Sequence, residues 1–211
     1  MTRIIIIRHG QSEANLNGTL AGQSNIPLTP LGHAQADAAR AYLIPRERIT
    51  AVYSSDLDRA YHTALPTAEA LGISIIKDKR LREVDLGLMV GHRTAMLEED
   101  FPEFHNDTST HPALKHYPGG ECPAEAYDRI TECVCEIAER HHGETILIAS
   151  HGGVIRYFLA YALGFSKLDM SEAPPVANTA ISTFEWDGKK MSPVEINSTE
   201  HLKNLPTQTE E

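Results

Sequence analysis

Long apolar runs are missing from this chain: none approaches the roughly 20 residues that a membrane-spanning helix needs. Positive charge is short too. The 211 residues carry 19 Lys and Arg against 29 Asp and Glu, for a formal net charge of -10 and a pI near 5.5. That balance argues against a general nucleic-acid binder, whose footprint is a basic face. Cysteine is scarce: Cys122, Cys133 and Cys135 form an odd set without metal-type spacing. On a helix, Cys133 and Cys135 point about 200° apart, so they neither pair nor share a metal. Reduced packing thiols in a cytoplasmic protein are the expectation. The opening Met-Thr-Arg leads straight into an apolar run, leaving no room for a signal peptide. The eleven histidines include neither His-Glu-x-x-His nor His-x-His, so no metal and no other cofactor is expected. Gly-x-Ser-x-Gly is also absent, which argues against reading Ser150-His151 as part of a hydrolase triad.

The pattern that is present alternates strands and helices. Ile4 to Ile7 are β-branched and apolar on both faces, as suits a strand covered on both sides. The run stops abruptly at Arg8-His9-Gly10, and open α/β sheets bind ligands just outside the carboxyl ends of their strands. Leu16 to Leu28, rich in Asn and Gly, reads as a loop. Thr29-Pro30 reads as an N-cap and first helical position, opening a helix to about Leu43 with Leu31, Ala34, Ala38 and Tyr42 on one face. A second strand runs from Ile49 to Ser54. Ser55 and Asp56 are cap candidates for the helix that follows, which Gly72 stops after Leu71. Residues 73–76 form a third strand, and such βαβ units imply parallel strands with right-handed crossovers.

Residues 77–120 are less regular, with a short helical piece over 95–100; long excursions of this kind are usually lids or linkers. Pro123 and Glu125 then open a helix whose apolar face is Ala126, Ile130, Cys133, Val134 and Ile137, with His141-His142 at its solvated end. A second aliphatic strand from Thr145 is delivered into His151-Gly152-Gly153, and a helix runs from Val154 to Leu163. Asp187-Gly188 between two β-rich runs signals a hairpin. The expected fold is an α/β three-layer sandwich, with a mostly parallel central sheet, an antiparallel edge hairpin and helices on both faces. One domain over residues 1–202 and a polar, frayed tail over 203–211 complete the expectation.

The chemistry-bearing residues gather at one sheet edge. His9 and His151 end two strands, Arg8 precedes the first, and Arg59 lies in the opening turn of the helix after the second. Two guanidinium forks hold one phosphate bidentately and stay charged at working pH. The start of the helix after His151-Gly152-Gly153 offers free backbone N–H groups to an anion. A neutral imidazole held at its other nitrogen attacks phosphorus directly, and no metal is needed where arginines carry the transition-state charge. Taken singly, each residue is more often a packed or solvated side chain; at matching strand ends they favour an anion-handling site.

Six stretches occur together in one order: Arg8-His9-Gly10-Gln11-Ser12-Glu13 with Asn15, Pro27 to Gly32, Tyr53 to Leu57 with Arg59-Ala60 and Thr63-Ala64, Leu81-Arg82-Glu83, Pro118 to Glu121, and Ser150 to Gly153. In these the chain resembles the histidine phosphatase superfamily, in its phosphoglycerate-mutase-like branch. The resemblance implies that His9 is the nucleophile that becomes phosphohistidine, that Arg8, Arg59 and His151 form the phosphate pocket, and that Asn15 adds a donor. It implies Glu83 as the acid that protonates the leaving oxygen, with Gly22 and Gln23 in a loop lining the substrate mouth and Gly152 at the anion-facing helix start. The chain departs from the family pattern at Met89, where Trp is common, at Val90, where an acid is common, and at Ala14, where Trp is frequent; reshaping of the pocket rim is expected.

The resulting expectation is a metal-independent phosphomonoesterase acting on a small phosphorylated metabolite, with no nucleic-acid or membrane partner and no cofactor. The mutases of this branch carry a longer basic insertion than residues 92–117, which favours a phosphatase over a phosphoglycerate mutase. A non-catalytic phosphate-binding module is the third reading, and the full set of five polar residues argues against it. Phe101, Phe104, His105, Lys115, His116 and Tyr117 are the candidates for selecting the substrate.

Overall fold

The computed structural model describes residues 1–203 and Leu205, so nearly all of the expected tail lies outside the described residues. One six-stranded sheet organises them. Its strands are β1 (Thr2–Arg8), β2 (Ile49–Ser54), β3 (Ile75–Lys77), β4 (Thr145–Ser150), β5 (Ile181–Trp186) and β6 (Met191–Ser198), in the order β3-β2-β4-β1-β5-β6. The first four in that order are parallel, and β5 and β6 add the antiparallel edge, joined through Asp187-Gly188.

The apolar runs of β1 and β4 are explained by burial on both faces. Ile4 and Ile6 enter one core cluster with Ile146 and Ile148, beneath α6 (Pro123–Arg140) and α7 (Gly152–Leu163). Ile5 and Ile7 enter the other with Leu147 and Ala149, beneath α2 (Pro30–Leu43) and α3 (Asp58–Leu71). The three layers are therefore set by the two-residue period of the strands. Short helices α1 (Glu13–Asn17), α4 (Leu97–Asp100) and α5 (Pro102–Asn106) decorate the carboxyl edge.

Several local expectations shift. Residues 13–17, partly assigned to a loop, form α1, because Ser12 and Asn15 close a reciprocal capping box. Helix α3 begins at Asp58 with Leu57 as its cap; Ser55 instead turns inward. His141 is not solvated like His142: its ring meets the Tyr53 hydroxyl at 2.8 Å and Glu144 at 3.0 Å.

The buried face of α2 is Gly32, Gln35, Ala36, Ala39 and Leu43, and the expected Leu31, Ala34, Ala38 and Tyr42 are only half-buried beside it. The cause is close backbone approach. Gln35 accepts from the Gln11 N–H at 2.8 Å, and a Cβ on Gly32 would lie 2.1 Å from the Gln11 carbonyl oxygen. Since Gln11 follows the Arg8-His9-Gly10 turn, Gly32→Ala is expected to destabilise the protein by about 2–4 kcal/mol. Urea unfolding checks this; a midpoint equal to wild type would show that the turn has slack.

Candidate active site

Strands β1 and β4 are neighbours in register, with Arg8 opposite Ser150, so their next residues, His9 and His151, emerge side by side. The His9 N–H donates to the Ser150 carbonyl at 2.9 Å, and the two imidazole centroids are 5.2 Å apart. His9 Nδ1 lies 2.7 Å from the Gly10 carbonyl oxygen, which only accepts, so Nδ1 carries the proton and Nε2 keeps its lone pair. Burial, then the charges of Arg8 and Arg59, hold the His9 pKa well below 6.5, leaving a neutral imidazole at pH 7. His151 is shifted the same way, by burial first and Arg59 next.

The arginines are anchored by carbonyls. Arg8 Nη1 donates to Val176 O at 2.6 Å. Arg59 is 1% exposed and donates from Nη1 to Ser24 O at 2.8 Å and from Nη2 to Gly22 O at 2.7 Å. What remains open is Nε of Arg8, Nε of Arg59 and Nδ1 of His151, all buried and without a partner among the described residues. His151 Nε2 sits 2.9 Å from the Ser55 hydroxyl. With that hydroxyl donating, His151 Nδ1 is the protonated nitrogen and a third N–H donor. Burial lowers Arg59 to about 10, so it remains charged at neutral pH.

Glu83 supplies the negative charge, and here the anion expected at the α7 start is replaced. The N–H groups of Gly153 and Val154 donate to Glu83 Oε2 and Oε1 at 3.1 and 3.3 Å, and Val84 N–H to Oε1 at 2.9 Å. The helix terminus thus caps the protein's own carboxylate. The two glycines make room for this: a Cβ on Gly152 would lie 3.0 Å from Arg8 Nε, and one on Gly153 2.6 Å from Glu83 Oε1.

A cavity of about 410 Å³ gathers Arg8, His9, Asn15, Gly22, Arg59 and Glu83, and His151 is outside its lining, 5.2 Å from His9 ring to ring. Gln23 is not brought to its wall: its amide donates to Glu83 O at 3.1 Å, and it meets Arg82. Gly153 lines the cavity in place of Gly152, and Gly22 also serves through its carbonyl, holding Arg59. Of the proposed selectors, Tyr117 lines it; Phe104 and Lys115 belong to an adjoining cavity of about 500 Å³ that shares Tyr117 and Tyr157. Phe101, His105 and His116 line neither.

Residues 4–199 match the family model for the histidine phosphatase superfamily, branch 1. The chain belongs to that superfamily. It is 30% identical over 204 residues to phosphoserine phosphatase 1 of Hydrogenobacter thermophilus, covering 96% of this chain and 95% of that one. It is 35% identical over 207 residues to a metal-independent phosphoserine phosphatase of Arabidopsis thaliana, covering 97% and 85%. Among solved structures, YhfR of Bacillus stearothermophilus superposes with a TM-score of 0.88 at 27% identity, covering 96% of this chain and all (100%) of that one.

Within this histidine phosphatase the three departures act differently. Ala14 lines the cavity and widens it, and Val90 packs on Gly22, where a Cβ would meet its Cγ2 at 2.7 Å. Met89 is 1% exposed, so it repacks the interior and leaves the rim alone.

Other residues that hold the site were given no role from the sequence, although Thr63 stands in one of the motif stretches. Thr63 accepts from the Gly10 N–H at 2.9 Å and donates to Arg59 O at 2.7 Å; its position four residues after Arg59, on the same helix face, was the available signal. Arg129 donates to the carbonyls of Arg80, Arg82 and Glu83 and to Glu121, clamping the backbone that carries Glu83. Asn178 donates to His9 O at 3.0 Å and Asn15 Oδ1 at 3.2 Å from a Pro-rich loop without periodicity.

The buried histidines also set the acid limit of the fold. Burial is the leading cause that lowers His9 and His151 well below 6.5 and His201 to about 4. In the unfolded chain these groups titrate near 6.5, so below that pH the unfolded state binds more protons and gains. Stability is therefore complete above about pH 6.5 and falls as the pH drops toward the folded values. Asp56 and Asp78, held low by Arg82 and Arg80, add their loss only nearer 3.8. A Tm that is level from pH 8 to 7 and declines steadily below 6.5 is expected, with a shallower decline in His201→Gln. A Tm unchanged down to pH 4.5 would contradict the burial of neutral imidazoles.

Proposed function

We propose that His9 Nε2 attacks the phosphorus of a small phosphate monoester in line with the leaving oxygen, forming a phosphohistidine that water then hydrolyses. The chain is a phosphomonoesterase of the histidine phosphatase superfamily, and this is the chemistry its site is built to run. The observation that carries the reading is a neutral His9 that lines the cavity with Arg8 and Arg59 and lies 5.2 Å, ring to ring, from His151, while Nε of Arg8, Nε of Arg59 and Nδ1 of His151 have no partner among the described residues. Fixed N–H donors aimed at the phosphoryl oxygens stabilise charge as the transition state spreads it. Glu83 takes up the proton that a phosphate monoanion brings into the site and hands it to the departing alkoxide, so the P–O bond breaks as the N–P bond forms. The same carboxylate then takes a proton from the water that attacks phosphohistidine.

These donors replace a metal in the reading: two guanidinium groups neutralise the phosphoryl charge. The substrate would be a small phosphorylated metabolite, since a chain of net charge -10 with a basic pocket disfavours polyanions. Three free thiols fit a cytoplasmic setting. The test is hydrolysis of p-nitrophenyl phosphate by chelator-treated protein. Full rate in chelator is expected, and a rate that returns only with added divalent metal would overturn the reading.

A further inference from the structure

Beyond the clamp, no described residue of the cavity wall carries a positive charge. Arg8 and Arg59 are the only cationic side chains among its described lining residues besides His9, which is neutral. The nearby cations lie outside this lining, Lys115 and Arg156 along the adjoining cavity. Arg82 is paired with both oxygens of Asp56 at 2.7 and 2.6 Å, Arg129 is spent on Glu121 and backbone carbonyls, and Arg156 donates to Ala173 O at 2.7 Å. Lys115 donates to the carbonyls of Phe104 and Asp107, each at 2.5 Å. Arg93 meets the mouth through its backbone bridge to Thr19, but it is exposed and does not line the cavity.

The rest of the wall is instead uncharged, with Ala14, Leu20, Val84, Leu86, Tyr117 and Tyr157 beside the hydroxyls of Thr19 and Thr94. Burial raises both phenols, and the Glu83 carboxylate raises them further, so they stay neutral. Ser12 and Asn15 add no charge: the Ser12 hydroxyl donates to Asn15 Oδ1, which also accepts from Asn178, and the Asn15 amide nitrogen is a neutral donor. A carboxylate against this wall would meet Glu83 and, among the described lining residues, no cation besides the two arginines assigned to the phosphate. An unpaired charge moved out of water is strongly penalised, and a like charge beside it adds to the cost.

We infer that the leaving alcohol of the natural substrate is uncharged and turns an apolar face to this wall: a monoester without a carboxylate or second phosphate on the departing group. The inference rests on the phosphatase reading above and narrows it. It also separates this chain from relatives named for phosphoserine, whose leaving group carries a carboxylate.

The test compares kcat/KM for benzyl and n-propyl phosphate with kcat/KM for phosphoserine and 3-phosphoglycerate, all alkyl esters. The uncharged pair is expected to be favoured at least tenfold. Leu86→Arg, which places a cation on the wall, is expected to shrink that ratio when measured against its own benzyl phosphate rate. Arg93→Ala is expected to leave the ratio as it is. Equal or faster turnover of the carboxylate esters overturns the inference and leaves the phosphatase reading standing. So does a loss of carboxylate turnover alone in Arg93→Ala, and a Leu86→Arg ratio as steep as wild type. Failure to hydrolyse any of the four esters overturns the phosphatase reading itself.

Discussion

His9→Ala is expected to lose roughly 10³-fold or more of kcat/KM toward phosphate monoesters, the scale on which removing a nucleophile acts. No neighbour can take over. His151 keeps its Nε2 against Ser55 and lies wholly buried, and Ser150 is buried with its hydroxyl donating to Leu81 O at 2.7 Å. The loss should fall on kcat, because both arginines stay in place for the phosphate of the proposed reaction. The fold should survive, since the backbone of His9 is held independently by Ser150, Asn178 and Thr179. Retained turnover at wild-type rate, with a normal unfolding curve, would move the nucleophile elsewhere.

Arg59→Ala is the second large effect, and it joins catalysis to stability. The side chain is almost fully buried, and its two Nη groups hold the carbonyls of Gly22 and Ser24 while Nε has no partner among the described residues. Truncation removes one of the fixed donors, worth about 10²–10³ in rate. It also leaves two carbonyls unpaired and a void, for a loss of roughly 2–4 kcal/mol. Arg59→Lys should rescue little, because an ammonium cannot span two carbonyls and a phosphate as a planar fork does. The loop of residues 20–24 that shapes the mouth should loosen with it, so KM should rise as kcat falls. Steady-state kinetics beside urea unfolding reads both at once. An Arg59→Ala protein as stable as wild type would show that the carbonyl contacts carry no weight.

Much of this site was legible in the sequence because its parts stand at pattern breaks. Ile4 to Ile7 and Ile146 to Ala149 announce strands buried on both faces, and each run ends in His-Gly, which placed His9 and His151 at one sheet edge. Arg59 was legible from its place one residue into a helix that follows a strand. The apolar face of α6 was also readable, as Ala126, Ile130, Cys133, Val134 and Ile137 are all buried.

Other features depend on tertiary partners that no local pattern reveals. The buried face of α2 is made of glycine and glutamine because it meets the backbone of Gln11, so hydrophobic periodicity pointed at the wrong residues. The α7 terminus looked like an anion cradle until Glu83, 70 positions earlier than Gly153, was found to occupy it. Gln23 was expected in the mouth, yet its amide is engaged by the Glu83 backbone and Arg82. The carbonyl of Val176 and the amide of Asn178 come from a loop whose residues carry no chemical signature at all.

The phosphohistidine step is the claim on which the rest depends, and acid-sensitive, base-stable labelling tests it most directly. Protein mixed with a radiolabelled phosphate monoester is denatured within the first turnover, digested, and the label located. The account predicts label on His9, lost in acid and stable in alkali, with none in His9→Ala. Steady turnover by wild type with no label on any histidine, or equal labelling of the His9→Ala protein, would contradict it.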